Sequence, residues 1–198
     1  MNKIQDFIVS KVRVKMLRLF FISPDQIFYV REITREIQEE INAVRRELKR
    51  LTDGKILKSE NRANRIYYSL NKNYLFYQEL QQMVFKSGDF TTKLLKFRKK
   101  LGNLKFVMCS SKFIYNQKKK KGLDLLIIGE VVLKELEILI KDEEKRLERE
   151  LNYTVFTETE FDFRKKRNDP FVINILYEKR IMLIGNEEEF IKKEINYV

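Results

Sequence analysis

Between residues 41 and 70 the apolar period changes once, and that change constrains the first part of the chain more than any other feature. Ile41, Val44, Leu48 and Leu51 recur at helical spacing and define one buried stripe over about residues 40–52. Asp53-Gly54 supplies the stop, since glycine readily takes the left-handed conformation that ends a helix. Two strands are expected next, over residues 56–59 and 65–70; in the second, Ile66, Tyr68 and Leu70 alternate as a half-buried strand requires. A polar tip, Glu60-Asn61-Arg62-Ala63-Asn64, joins them. Upstream, Ile4, Phe7, Ile8, Val12, Met16, Leu19 and Phe20 predict a helix that Ser23-Pro24-Asp25 ends, because proline cannot continue the hydrogen-bond ladder. A short apolar piece, Ile27-Phe28-Tyr29-Val30, then leads into a brief helix over 31–38.

The rest of the chain follows a different rhythm. Residues 74–86 read as a helix, and Ser87-Gly88-Asp89 as a domain boundary, dividing the chain into 1–88 and 89–198. Beyond it we expect a helix over 92–101, a turn at Gly102-Asn103 and a strand over 104–109. The strongest strand signal is Leu123-Asp124-Leu125-Leu126-Ile127-Ile128. A long charged helix over 131–150, a strand over 153–156, a helix over 171–177, a strand over 181–184 and a closing helix over 187–194 complete the pattern. Strands alternating with helices imply a small α/β second domain with a mixed sheet, so the whole chain is expected to be α+β.

Composition excludes several function classes. The 198 residues contain no His, so Ser-His-Asp and Cys-His nucleophiles and His-ligated metals are ruled out. The single Cys109 rules out an internal disulfide and suits a reducing compartment. No apolar run approaches the length of a membrane span and the N-terminus lacks a signal-peptide pattern, so a cytoplasmic protein with no membrane partner is expected. With 41 Lys+Arg against 29 Asp+Glu the net charge is +12, which points to a polyanionic partner. Residues 1–88 carry 17 basic and 10 acidic groups, residues 89–150 carry 16 and 10, and residues 151–198 carry 8 and 9. The excess therefore belongs to the first three quarters of the chain.

Opposite the buried stripe of the third helix lie Asn42, Arg45, Arg46 and Lys49, at spacings i, i+3, i+4 and i+7. Guanidinium forks suit guanine edges and phosphates and an amide suits adenine, so this face is chemically fitted to a major groove. Arg62 and Arg65 flank the hairpin tip, placed to reach a neighbouring phosphate or minor groove. A merely solvated cationic face and an acidic protein partner are the competing readings. The order helix, short helix, helix, hairpin, with the stretches Phe28-Tyr29-Val30-Arg31-Glu32-Ile33, Ile41-Asn42-Ala43-Val44-Arg45-Arg46-Glu47-Leu48-Lys49-Arg50-Leu51 and Asn64-Arg65-Ile66-Tyr67-Tyr68-Ser69-Leu70, resembles the ArsR-type winged helix-turn-helix transcriptional regulators over about residues 10–86. The resemblance implies binding of double-stranded DNA by a homodimer. Metal sensors of that family use Cys and His, which this domain lacks.

From about residue 92 the chain resembles the minimal nucleotidyltransferase domains of the DNA polymerase β-like superfamily. That family has Gly-Ser after a first strand, Asp-x-Asp on a second and a third carboxylate on a later one. Paired carboxylates hold two Mg²⁺, and Gly-Ser lets backbone amides approach a triphosphate. Here Ser110-Ser111 stands at the Gly-Ser position, and Gly122-Leu123-Asp124 at Asp-x-Asp. Asn152-Tyr153-Thr154-Val155-Phe156 offers no carboxylate. One ligand of three cannot hold a two-metal centre, so Ser110, Ser111, Gly122 and Asp124 read as a vestigial site, with no cofactor and no enzymatic activity. The alternative is an active Mg-dependent nucleotidyltransferase targeted by its winged helix. Lys118, Lys119, Lys120 and Lys121 admit three readings: an exposed loop without a partner, a DNA-phosphate contact, or a grip on a nucleotide or other anionic ligand. Arg164-Lys165-Lys166-Arg167 is expected to be a solvated surface, and Cys109 a buried thiol.

Overall fold

In the computed structural model, which describes residues 8–115 and 122–192, the chain divides into two units, Met1–Gly88 and Asp89–Val198. The first unit begins with helix α1, Lys11–Ile22, whose N-cap Ser10 accepts from the Arg13 N–H at 3.2 Å. Strand β1 (Ile27–Tyr29), helix α2 (Val30–Ile37) and helix α3 (Ile41–Asp53) follow, then the hairpin β2 (Leu57–Arg62) and β3 (Arg65–Leu70), and helix α4 (Tyr77–Lys86). The short apolar piece before α2 is thus a strand. It pairs antiparallel with β3, setting Phe28 opposite Tyr68 and Tyr29 opposite Tyr67, and makes a three-stranded sheet of order β1-β3-β2. The hairpin is longer than its residue types suggest: pairing runs out to Arg62 opposite Arg65, leaving Ala63, at φ 49°, and Asn64 as the tip.

One side of the sheet and one stripe of each helix close a single core in this unit. Val14, Leu17 and Phe20 of α1, Ile33 and Ile37 of α2, and Val44, Leu48 and Leu51 of α3 meet Phe28, Leu57 and Leu70. Phe20 meets Phe28 edge-on at 5.4 Å, and Tyr77 of α4 lies 5.4 Å from Phe21. Such aromatic pairs add about 0.5–1.5 kcal/mol each beyond the area they bury.

The second unit comprises helix α5 (Asp89–Leu101), strand β4 (Gly102–Ser110), the one-turn helix α6 (Ser111–Ile114), strand β5 (Leu125–Val131), helix α7 (Leu133–Leu147), strand β6 (Tyr153–Phe156), helices α8 (Glu158–Lys166) and α9 (Pro170–Tyr177), strand β7 (Arg180–Ile184) and helix α10 (Glu187–Ile191). Its sheet has the order β6-β5-β4-β7. β4 is antiparallel to β5 and β7, while β5 and β6 are parallel, so the sheet is mixed. The continuous apolar run of β5 follows from that position: it is a central strand, and Leu125 to Ile128 are all buried. Phe106, Met108, Leu126, Ile128, Phe156, Phe161, Val172, Ile175 and Phe190 form the core on one face.

Gly102 and Asn103 are not a turn but the first residues of β4, paired with Val131 and Glu130. Gly102 enters the strand at φ +100°, and a side chain there would press against the Glu130 carbonyl oxygen at 2.1 Å. Among the described residues no helix is long and apolar enough to cross a membrane.

Candidate nucleic-acid interface

Helix α3 carries an exposed positive face, and its local sequence explains its orientation. Glu40 caps it, accepting from the Asn42 and Ala43 N–H groups at 2.8 Å each. These two backbone donors, Asn42 first, hold the Glu40 carboxyl below the usual carboxylate range, with Arg46 and Arg45 adding to the effect. Val44, Leu48 and Leu51 are buried, which turns Asn42, Arg45, Arg46 and Lys49 to the outside, all four exposed. Glu47 departs from the simple stripe. It is 3% exposed and joins α3 to α1, pairing with Arg13 and accepting from the Ser10 hydroxyl at 3.4 Å. Arg50 adds a pair to Glu47 at 3.5 Å.

The hairpin brings Arg62 and Arg65 together, directly opposite each other at the end of the ladder. Their surroundings differ. Arg62 pairs with Glu60 at 2.8 Å and lies 5.5 Å from the Tyr67 ring centre, whereas Arg65 lies over the Tyr29 ring at 4.8 Å. Tyr29 and Tyr67 themselves meet at 6.0 Å, so the arginines rest on a pair of rings. Between hairpin and helices runs a groove of about 450 Å³, lined by Tyr29, Val30, Arg31, Arg45, Asn64, Arg65, Ile66 and Tyr68. Burial pushes the Tyr68 phenol above its usual range, and the Arg45 guanidinium opposes that rise. Sequence spacing alone does not single out Arg31 for this face; it needs the pairing of β1 with β3, which sets the start of α2 beside the hairpin.

In the second unit Ser110, Ser111, Gly122 and Asp124 do come together, around the end of β4 and the start of β5. The Ser110 hydroxyl donates to the Leu123 carbonyl at 2.6 Å and its N–H to the Asp124 carbonyl at 2.9 Å. The Ser111 N–H donates to the Lys179 carbonyl at 3.1 Å. Gly122, at φ +119°, presents its carbonyl to the Lys112 ammonium at 2.9 Å and to Asn152 Nδ2 at 3.2 Å.

Asp124 is fully buried, and both its oxygens are spoken for. Oδ1 accepts from Arg149 Nη2 at 2.8 Å. Oδ2 accepts from Arg149 Nη1 at 3.0 Å, Lys112 Nζ at 2.9 Å and the Asn152 N–H at 2.9 Å. Burial alone raises its carboxyl pKa, but the donors from Arg149, Asn152 and Lys112 outweigh burial and hold it below the usual range. Two cations around one carboxylate leave the cluster with a formal charge of +1. A Mg²⁺ ion would have to displace them, and among the described residues no carboxylate cluster forms beside Asp124; the donor set does not fit a two-metal centre. Among the described residues no three Cys, Asp or Glu side chains gather where they could hold a metal. Lys112 and Arg149 are partners of Asp124 that sequence spacing does not reveal.

Beside this cluster a shallow cavity of about 440 Å³ is lined by Gly122, Leu123, Leu151, Asn152, Tyr153, Thr154 and Phe171. Its described lining carries two aromatic rings and no cation. Lys118, Lys119, Lys120 and Lys121, for which an exposed loop, a DNA-phosphate contact and a grip on an anionic ligand are the three readings, lie outside the described residues. The cluster Arg164-Lys165-Lys166-Arg167 is only partly solvated. Lys165 is buried with its ammonium 4.9 Å from the Phe161 ring centre, and Arg164 pairs with Glu160 and Asp169. Cys109 is buried, as its apolar strand suggests; burial pushes the thiol well above its usual range, and Glu143 and Asp124 push it further. No known family model, curated protein or solved structure matches the chain.

Proposed function

We propose that the protein is a DNA-binding transcriptional regulator: the first unit is a winged helix-turn-helix that reads double-stranded DNA, and the second is a nucleotidyltransferase-like domain without transferase activity that assists. The observation that carries the reading is the joint exposure of Asn42, Arg45, Arg46 and Lys49 on the third helix beside a hairpin whose Arg65 rests on Tyr29. Helix α3 has the dimensions and donors to enter a major groove, and the hairpin stands where a wing contacts the flanking backbone. In a homodimer the two α3 helices would address half-sites about 34–36 Å apart, one turn of DNA. Occlusion of a promoter is the simplest regulatory consequence.

The engagement of both Asp124 oxygens by Arg149, Lys112 and Asn152 supports a non-catalytic second unit. An active transferase would instead need that carboxylate open to Mg²⁺.

The test is selection from a duplex library at two salt concentrations, with the parent and Arg45→Ala/Arg46→Ala chains side by side. An enriched motif, an affinity that falls steeply with salt, and loss of both in the double variant are expected. A double variant that binds like the parent would mean that α3 is not the reading face.

A further inference from the structure

Three arginines from three separate elements line the groove between hairpin and helices: Arg31 from the first turn of α2, Arg45 from α3 and Arg65 from β3. All three are exposed, and among the described residues neither the Arg31 nor the Arg45 side chain is engaged in a hydrogen bond or ion pair. Among the described residues the Arg65 side chain is held only by the face of Tyr29, which limits its rotamers while leaving its N–H donors unspent. Arg62, by contrast, has its charge compensated by Glu60. Asn42, Arg46 and Lys49 share the exposed face of α3 but do not line the groove. The positive face therefore splits into a concave part whose cations are all arginines and a convex part of mixed donors.

The chemistry of the two parts differs. Phosphate oxygens are best met by guanidinium forks converging from several sides, and such contacts hold a duplex in place without reading its sequence. Base edges are read by side chains that project from the helix into the groove. We propose that Arg31, Arg45 and Arg65 form a seat for the phosphates of one DNA strand, and that base readout falls to Asn42, Arg46 and Lys49. The assignment rests on the DNA-binding reading above and divides its residues: Arg45 positions, and Arg46, one residue on, specifies. The positive end of the α2 dipole adds to the potential at Arg31.

The experiment compares Arg31→Gln, Arg45→Gln and Arg46→Gln in the full chain, measuring affinity against salt for the selected duplex and for a scrambled one. Arg31→Gln and Arg45→Gln each weaken binding to both duplexes by the same factor, roughly tenfold. Each also lowers the log–log salt slope by about 0.9, the loss of one phosphate contact. Arg46→Gln instead weakens the selected duplex more than the scrambled one and broadens the recovered motif. Arg31→Lys, which keeps the charge but not the fork, retains the slope with reduced affinity. An Arg31→Gln chain with the parent's slope, or an Arg45→Gln chain with an altered motif and unchanged slope, overturns the phosphate seat while leaving the DNA reading intact. A parent chain with no salt-sensitive duplex binding overturns both.

Discussion

Asp124 shows how one buried side chain can tie several parts of a fold together. Standing just ahead of the central strand of a mixed sheet, it is surrounded by Lys112, Arg149 and the Asn152 N–H, and it ties the end of β4, the start of β5 and the approach to β6 to one point. Removing one partner of a buried charge cluster strands the others, and the cost is about 3–5 kcal/mol. Asp124→Ala should therefore lower the unfolding free energy of the second unit by that order, measured by guanidinium unfolding of the full chain. A loss under about 1 kcal/mol would show that the cations find solvent instead. The pH dependence has a definite sign. The folded carboxyl pKa is lowered, so its stabilisation is present above the unfolded value near 3.9 and disappears as pH falls through the lower folded value. The parent should lose stability below about pH 4, and Asp124→Ala should show a smaller loss over that window.

Helices and strands were legible wherever their signal is local. The apolar stripe of α3, the alternation of β3 and the buried run of β5 all follow from dihedral period and burial, and the structure has each of them in place. Elements defined by their partners were not legible in the same way. Strand β1 is three residues long and exists because β3 offers it an edge, and the hairpin strands extend to Arg62 because cross-strand pairing, not residue preference, sets their length. Gly102 looked like a turn for the same reason: only the β4–β5 ladder shows that it begins a strand. That ladder also makes a test. Gly129, at φ +143°, faces the Asn103 carbonyl oxygen, which an added Cβ would approach to 2.2 Å. Gly129→Ala should destabilise the second unit by more than about 1 kcal/mol, since both the backbone conformation and the space are wrong for alanine. An unchanged thermal midpoint would mean that the two strands separate there at little cost.

Across the whole molecule charge is unevenly shared: residues 1–88 and 89–150 each carry a positive excess, and residues 151–198 carry 8 basic against 9 acidic groups. If the second unit assists DNA binding through its excess, a chain of residues 1–88 alone should bind duplex with a shallower salt slope than the full chain. Equal slopes would confine all phosphate contacts to the first unit.

The identity and order of most elements and the exposed cationic face of α3 were already present in the linear chain, because periodicity, punctuation and residue type are local properties. The pairings that give those residues their roles were not. Lys112 and Arg149 meet Asp124 across 12 and 25 positions, Arg13 meets Glu47 across 34, and Arg31, Arg45 and Arg65 share one groove from three elements. Such contacts depend on the packing of one element against another, and packing is settled by burial and strand pairing summed over each unit, which no short stretch of sequence encodes.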